Sequence, residues 1–261
     1  MRVFDFDSAI VRLPGKSVVD GLRAGDHEGP SFDGVVAEHG GYIAALEAAG
    51  ADVTVLPPLE QFPDAIFVED PALVFTHGAI LLRPGTPSRA AEAAELEPTL
   101  RQQFPAILSL SEGFADGGDV LVTPGMIYIG LSARTDEAGA HALIASLGEL
   151  GLAACIAHTP PGTLHLKTAS SLIDEETVLA TAALANSGIF EKLRVLTVPD
   201  GEEGAANVLR INDRVLAAAR YPRTLDLLDA HGLNIVPLKV SEVAKIDAGL
   251  TCMSLRWKSR Q

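Results

Sequence analysis

Cys252 lies in Gly249-Leu250-Thr251-Cys252-Met253-Ser254, just past a small-residue turn at Ala248-Gly249. A single thiol that the fold brings beside a histidine and an acid is the pattern of a cysteine nucleophile. The plainer reading is a core cysteine, since the type buries readily, and from this residue alone both stay open. Cys155, inside the apolar run Ala153 to Ala157, reads as core. Among the seven histidines, His39 and His141 fall in helical stretches and His27 and His231 in polar or turn settings; these four read as structural. His165 differs, because it follows Pro160-Pro161-Gly162 at a strand end and stands beside Lys167. No histidine pair has metal-ligand spacing and the two cysteines are far apart, so neither a metal nor a cofactor is expected.

The acids cluster. Phe62-Pro63-Asp64 is followed by Phe67-Val68-Glu69-Asp70-Pro71, three carboxylates in a largely apolar segment. Asp116 and Asp119 flank two glycines, where backbone can turn sharply and be approached closely. Turn and cap duty is one explanation, and Asp119 fits it. Carboxylates buried among Phe and Val need partners, because unpaired burial costs several kcal/mol. A bound guanidinium or ammonium would supply one.

The elements that position these groups repeat. From Asp116 the chain reads as a strand at Val120-Leu121-Val122, a turn at Pro124-Gly125 and a strand from Met126 to Gly130. A helix then starts at Thr135-Asp136-Glu137 with a hydroxyl cap, shows an apolar face of Ala140, Leu143, Ile144 and Leu147, and ends at Gly151. A strand over Ala153 to Ala157 closes the unit. Similar strand-strand-helix-strand units begin at Ala72 to Phe75, Ser170 to Ile173 and Val208 to Ile211. In the first of these, Pro98 is expected to begin a second helix or kink the first. In the second, Val178 to Ala183 reads as a strand and the helix falls near Gly188 to Leu193. The N-terminal stretch is one strand short: strand Ala9 to Leu13, a Ser31-capped helix with Val35, Val36, His39, Tyr42, Ile43 and Leu46 on one face, then strand Val53 to Leu56. Thr251 to Trp257 is a lone strand that supplies the missing one, expected beside Ala9 to Leu13. The fold class is therefore α/β, with five ββαβ modules at a spacing of roughly 40 to 50 residues and one module completed by both chain ends. An open doubly wound sheet is the rival, but no Gly-x-Gly-x-x-Gly follows any strand.

The totals agree with an enzyme-sized globule. Of 261 residues, 48% are apolar, enough for a full core. No apolar run reaches the ~18 residues of a membrane helix, and the N-terminus lacks a signal-peptide pattern. Two cysteines make no disulfide framework, which points to the cytoplasm. A net charge of -14 argues against nucleic acid as a partner.

Phe62-Pro63-Asp64 with Phe67-Val68-Glu69-Asp70, Asp116-Gly117-Gly118-Asp119, Ile129 to Thr135, Leu164-His165-Leu166-Lys167 and Thr251-Cys252, in this order and spacing, resemble dimethylarginine dimethylaminohydrolase from about Val11 to Leu255. That family is one of the guanidine-modifying α/β propellers, with pseudo-fivefold symmetry and an axial active site. The resemblance implies a single catalytic domain over residues 1–261 that hydrolyses mono- or dimethylated arginine to citrulline and an amine. It implies Cys252 as nucleophile, His165 as proton donor and later base, and Asp116 as the acid orienting them. It also implies Asp70 and Asp116 on the guanidinium, Asp64 on the α-amino group with the carbonyls of Leu22 and Ile246, and Arg89 and Arg134 on the α-carboxylate. Glu69 joins this substrate-binding set without a clear role. A small molecule is the expected partner, with no membrane, and a homodimer is left open. The alternatives are another guanidine hydrolase acting on arginine or agmatine, an amidinotransferase, or a non-catalytic arginine-binding propeller.

Overall fold

Repetition in the sequence becomes repetition in the sheets. A computed structural model describes residues 3–25 and 28–260, and its strands pair into five sheets of three. His27 lies outside the described residues. The chain opens with β1 (Ser8–Arg12), α1 (Phe32–Ala48) and β2 (Asp52–Leu56), the two strands running parallel. Next come β3 (Ala72–Phe75), β4 (Gly78–Leu81), α2 (Glu92–Gln103) and β5 (Ile107–Ser109). The third group is β6 (Val120–Val122), β7 (Ile127–Leu131), α3 (Glu137–Glu149) and β8 (Ala154–His158). The fourth is β9 (Ser170–Leu172), β10 (Thr177–Ala180), α4 (Ala182–Ala185) and β11 (Arg194–Thr197). The fifth is β12 (Leu209–Ile211), β13 (Arg214–Ala218), α5 (Pro222–Ala230) and β14 (Asn234–Leu238). β15 (Leu255–Trp257) then returns to lie antiparallel to β1, with Ser8 opposite Trp257 and Ile10 opposite Leu255.

Each full group pairs a hairpin with a third strand parallel to the hairpin's second, and a parallel neighbour needs a crossover, which the helix provides. The helices start and stop on local chemistry. Ser31 Oγ accepts from Gly34 N ahead of α1, and Gly50 and Gly151 take positive φ after α1 and α3. Buried side chains such as Leu46, Leu100 and Leu143 fix the inner faces of these helices. No helix among the described residues is long and apolar enough to cross a membrane.

Several local expectations give way to tertiary contacts. Pro98 sits inside an uninterrupted α2, where the buried Leu96 and Leu100 hold the helix despite the missing N–H. The cap of α3 is Asp136, whose carboxylate accepts from Gly139 N, while the Thr135 hydroxyl is turned inward to Asp119. α4 begins earlier than expected, because Thr181 ends the strand and caps the turn through Leu184 N. Val36 is exposed, and Cys155 is only half-buried. Thr251 to Trp257 is not one strand: Leu250–Met253 forms a 3-10 turn, and only Leu255–Trp257 joins the sheet. The cause is Asn207, whose side-chain carbonyl accepts from Thr251 N at 3.1 Å while its amide donates to Thr251 Oγ1 and the Lys167 carbonyl.

Candidate active site

Asp70, Asp116, His165 and Cys252 each stand in the short segment that leads into the first strand of a sheet, ahead of β3, β6, β9 and β15 respectively. These segments belong to four different sheets, so sequence distance is no guide to their proximity. Cys252 and His165 line one cavity of about 200 Å³ with Asp64, Asp70, Arg89 and Arg134. Leu22 and Ile246 complete its wall, and Phe67 and Leu164 give it an apolar side.

Asp116 is fully buried behind the histidine, with Oδ2 at 3.1 Å from His165 Nε2. Burial would lower the imidazole pKa, but the Asp116 hydrogen bond and the charges of Asp70 and Asp119 outweigh it and raise it. The ring thereby keeps its proton to higher pH than a free imidazole would. Asp119 acts as a clamp: it accepts from Leu166 N at 2.9 Å, Ser132 Oγ at 2.6 Å and Thr135 Oγ1 at 2.7 Å. The glycines between these acids are required for close approach. A Cβ on Gly117 would lie 2.0 Å from the Glu69 carbonyl, and one on Gly118 2.9 Å from the His165 ring.

Cys252 is buried at 7% exposure. Burial, with the charges of Asp70 and Glu69, pushes its thiol up to about 12 against a smaller opposing effect of Lys167. In the free site it is a neutral thiol. Two carboxylates of the site each keep an oxygen without a donor: Asp70 Oδ1, from a residue that lines the cavity, and Asp116 Oδ1, from the acid behind His165, are buried and unbonded. Leaving such an acceptor empty costs about 1–3 kcal/mol or more, so these oxygens are poised for N–H groups arriving from outside.

Arg89 lines the cavity, but its Nε, Nη1 and Nη2 all meet protein acceptors. It pairs with Asp70 and Glu92 and donates to the carbonyls of Asp64 and Phe67. Although burial favours loss of the charge, Asp70 and Glu92 keep the guanidinium firmly protonated. Arg134 is half-buried, and among the described residues nothing pairs with its guanidinium. Asp64 accepts from Leu22 N at 3.0 Å, and burial raises its pKa against the pull of Arg89, that amide and Arg134. The neighbouring Ala24 N–H is held by the carboxylate of Asp247, a residue in the left-handed region at φ 54°.

Glu69 is not brought to the cavity. Its Oε1 takes Lys167 and Arg256, and its side chain lines a different space. Sequence reasoning missed Glu92 and Arg256. The i,i+3 spacing of Arg89 and Glu92 at a helix start was a usable signal for the first; Arg256 had none. Among the described residues no group of three or more His, Cys, Asp or Glu side chains is arranged to hold a metal ion.

The profile of the arginine deiminase family matches residues 42–204. The N(G),N(G)-dimethylarginine dimethylaminohydrolase of Pseudomonas aeruginosa is 36% identical over 254 residues, covering 97% of this chain and 100% of that protein. Its namesake in Streptomyces coelicolor is 35% identical over 251 residues, covering 95% and 96%. A solved structure of the Pseudomonas aeruginosa enzyme complexed with citrulline is similar with a TM-score of 0.94 and 36% identity, covering 97% of this chain and 100% of that one. The chain belongs to the dimethylarginine dimethylaminohydrolase family.

Proposed function

We propose that the protein hydrolyses N-methylated arginine, mono- or dimethylated, to citrulline and methylamine or dimethylamine through a covalent amidino-thioether on Cys252. The observation that carries this reading is the buried, unbonded Asp70 Oδ1 on a cavity shared with the Cys252 thiol and the His165 imidazole, with Asp116 Oδ1 likewise unbonded behind that ring. A guanidinium donates N–H bonds to both oxygens and brings a positive charge next to Sγ. That charge offsets the carboxylates that keep the thiol protonated, so on substrate binding the thiol releases its proton to solvent and the nucleophile forms. Sulfur attacks the guanidinium carbon, and His165 protonates the departing amine, a step worth about 10²–10⁴-fold. The imidazole then takes a proton from water as it attacks the thioether carbon, and citrulline leaves with Sγ restored.

The rest of the cavity suits a free amino acid. Asp64, with the carbonyls of Leu22 and Ile246, receives the α-amino group. Arg134 receives the α-carboxylate, because its guanidinium is unengaged, whereas Arg89 serves from behind by holding Asp70. Asp70, Asp116, His165 and Cys252 precede strands of four different sheets, which supports reading residues 1–261 as one catalytic domain in which five modules close a propeller around an axis. The pairing of β15 with β1 supports that closure. The chemistry uses a free thiol and no metal or cofactor; both cysteines are free, which suits the reducing cytoplasm.

The test is release of the ureido product by the purified protein, with dimethylarginine, monomethylarginine, arginine and agmatine offered separately in the presence of a chelator, the product being citrulline from the first three and N-carbamoylputrescine from agmatine. Turnover of the methylated substrates with little from the other two is expected. Equal kcat/KM on arginine would overturn the substrate assignment, and no ureido product from any of them would overturn the activity.

A further inference from the structure

Glu69 lies beneath the site, and its contacts run to the segments that carry Asp70, His165 and Cys252. Oε1 meets Lys167 Nζ at 2.7 Å and Arg256 Nη2 at 2.8 Å. Asp70 follows Glu69 in the chain, and Lys167 lies just past His165. Arg256 Nη1 in turn donates to the carbonyls of Thr251 at 3.0 Å and Ser254 at 2.6 Å, which bracket Cys252. The backbone closes the same circuit, since Glu69 N donates to the Cys252 carbonyl at 3.2 Å. Glu69 and Lys167 are 5% and 7% exposed. With Arg256 they line a second cavity, of about 170 Å³, to which β3, β6, β9, β12 and β15 all contribute, while their chain neighbours Asp70, His165 and Cys252 line the first.

We propose that Glu69 is a positioning residue: bridged to Lys167 and Arg256, it holds the Asp70, His165 and Cys252 segments in register and sets the charge under the thiol. Removing either partner of a buried pair leaves an uncompensated charge, so a loss of activity or stability alone would not distinguish this role from ordinary packing. The sign of the effect on Sγ does. The charges that act most strongly on Cys252 are Asp70 and Glu69, which oppose the thiolate, and Lys167, which favours it; Asp64, Arg89, Arg134, His165 and Asp247 share its cavity. Glu69→Gln keeps the shape and removes a negative charge, leaving two cations under the sulfur. Lys167→Met removes a positive one. The inference takes its meaning from Cys252 as nucleophile, but its test needs no turnover, so the two fail separately.

The experiment measures alkylation of Cys252 by iodoacetamide at pH 8 without substrate, in a Cys155→Ala background so that one thiol reports. A pKa lower by about one unit gives about tenfold more thiolate and loses about threefold in intrinsic nucleophilicity, leaving a net gain of about threefold. Glu69→Gln is therefore expected to react about threefold faster or more, and Lys167→Met more slowly than the parent, by a smaller factor. Lys167→Arg, which keeps the charge, is expected to stay close to the parent rate. Both charge-removing variants moving in the same direction, or neither moving, would overturn the proposal. If Glu69→Gln does not fold, Lys167→Met against Lys167→Arg decides it, and equal rates for that pair overturn it.

Discussion

Asp116 Oδ2 stands 3.1 Å from His165 Nε2, with the carboxylate wholly shielded from solvent behind the ring. The folded imidazole pKa is raised, so the imidazolium is lost only as pH rises through that raised value. Asp116→Asn removes the charge and lets burial dominate, so the proton is lost at lower pH. Ring titration of His165 by NMR is expected to fall below that of the parent, with kcat lower by about 10²-fold or more. An unmoved ring titration would contradict the arrangement.

Cys252→Ser is expected to abolish turnover while leaving the fold and substrate binding intact. The hydroxyl is close in size but far harder to ionise than the thiol. Steady citrulline production by this variant would remove Cys252 from its role. Cys155→Ser is expected to change the melting temperature and leave kcat alone, because Cys155 lies in β8, away from the cavity.

If Arg134 holds the carboxylate, the decarboxylated counterpart of methylarginine is expected to lose tenfold or more in kcat/KM, since a charge-assisted bond contributes about 1.5–3 kcal/mol. In Arg134→Met the two substrates are expected to converge. Arg89→Met should behave differently, lowering both rates alike and costing about 3–5 kcal/mol of stability by stranding Asp70 and Glu92. A preference for the carboxylate that survives Arg134→Met would move the clamp elsewhere.

His39 gives a pH dependence of stability that is independent of catalysis. Burial in α1 lowers its pKa from 6.5 to about 4, so the folded state holds it neutral. Its favourable contribution is present above the unfolded pKa and is lost as pH falls toward the folded one. Between pH 7 and 4 this single group is expected to remove about 3 kcal/mol of stability. His39→Leu should flatten that part of a denaturant-unfolding series, and an equally steep acid loss in the variant would exclude it.

The modules were legible because strands bounded by Gly and Pro recur with a helix between them, and that spacing survives into the five sheets. Short 3-10 turns were not legible. Leu250–Met253 has no periodicity to display, and its shape is imposed by Asn207 from another sheet. Residue type singled out Cys252, His165 and the Asp116-Gly117-Gly118-Asp119 turn, and the family resemblance lent them their roles. It could not tell which of two arginines is free, because that depends on Arg89 being enclosed by Asp70 and Glu92. Nor could it turn Glu69 away from the site, since Lys167 and Arg256 reach it only after folding.

The pairing of β15 with β1 joins strands from opposite ends of the described residues and ties the segment that carries Cys252 to the N-terminal strand. A nascent chain stalled before Thr251 already contains Asp116 and His165 but no Cys252, and its β1 has an open edge where β15 should lie. Such an edge is a template for pairing with another chain. A chain cut before Thr251 therefore loses the Cys252 thiol and gains a free strand edge by the same cut.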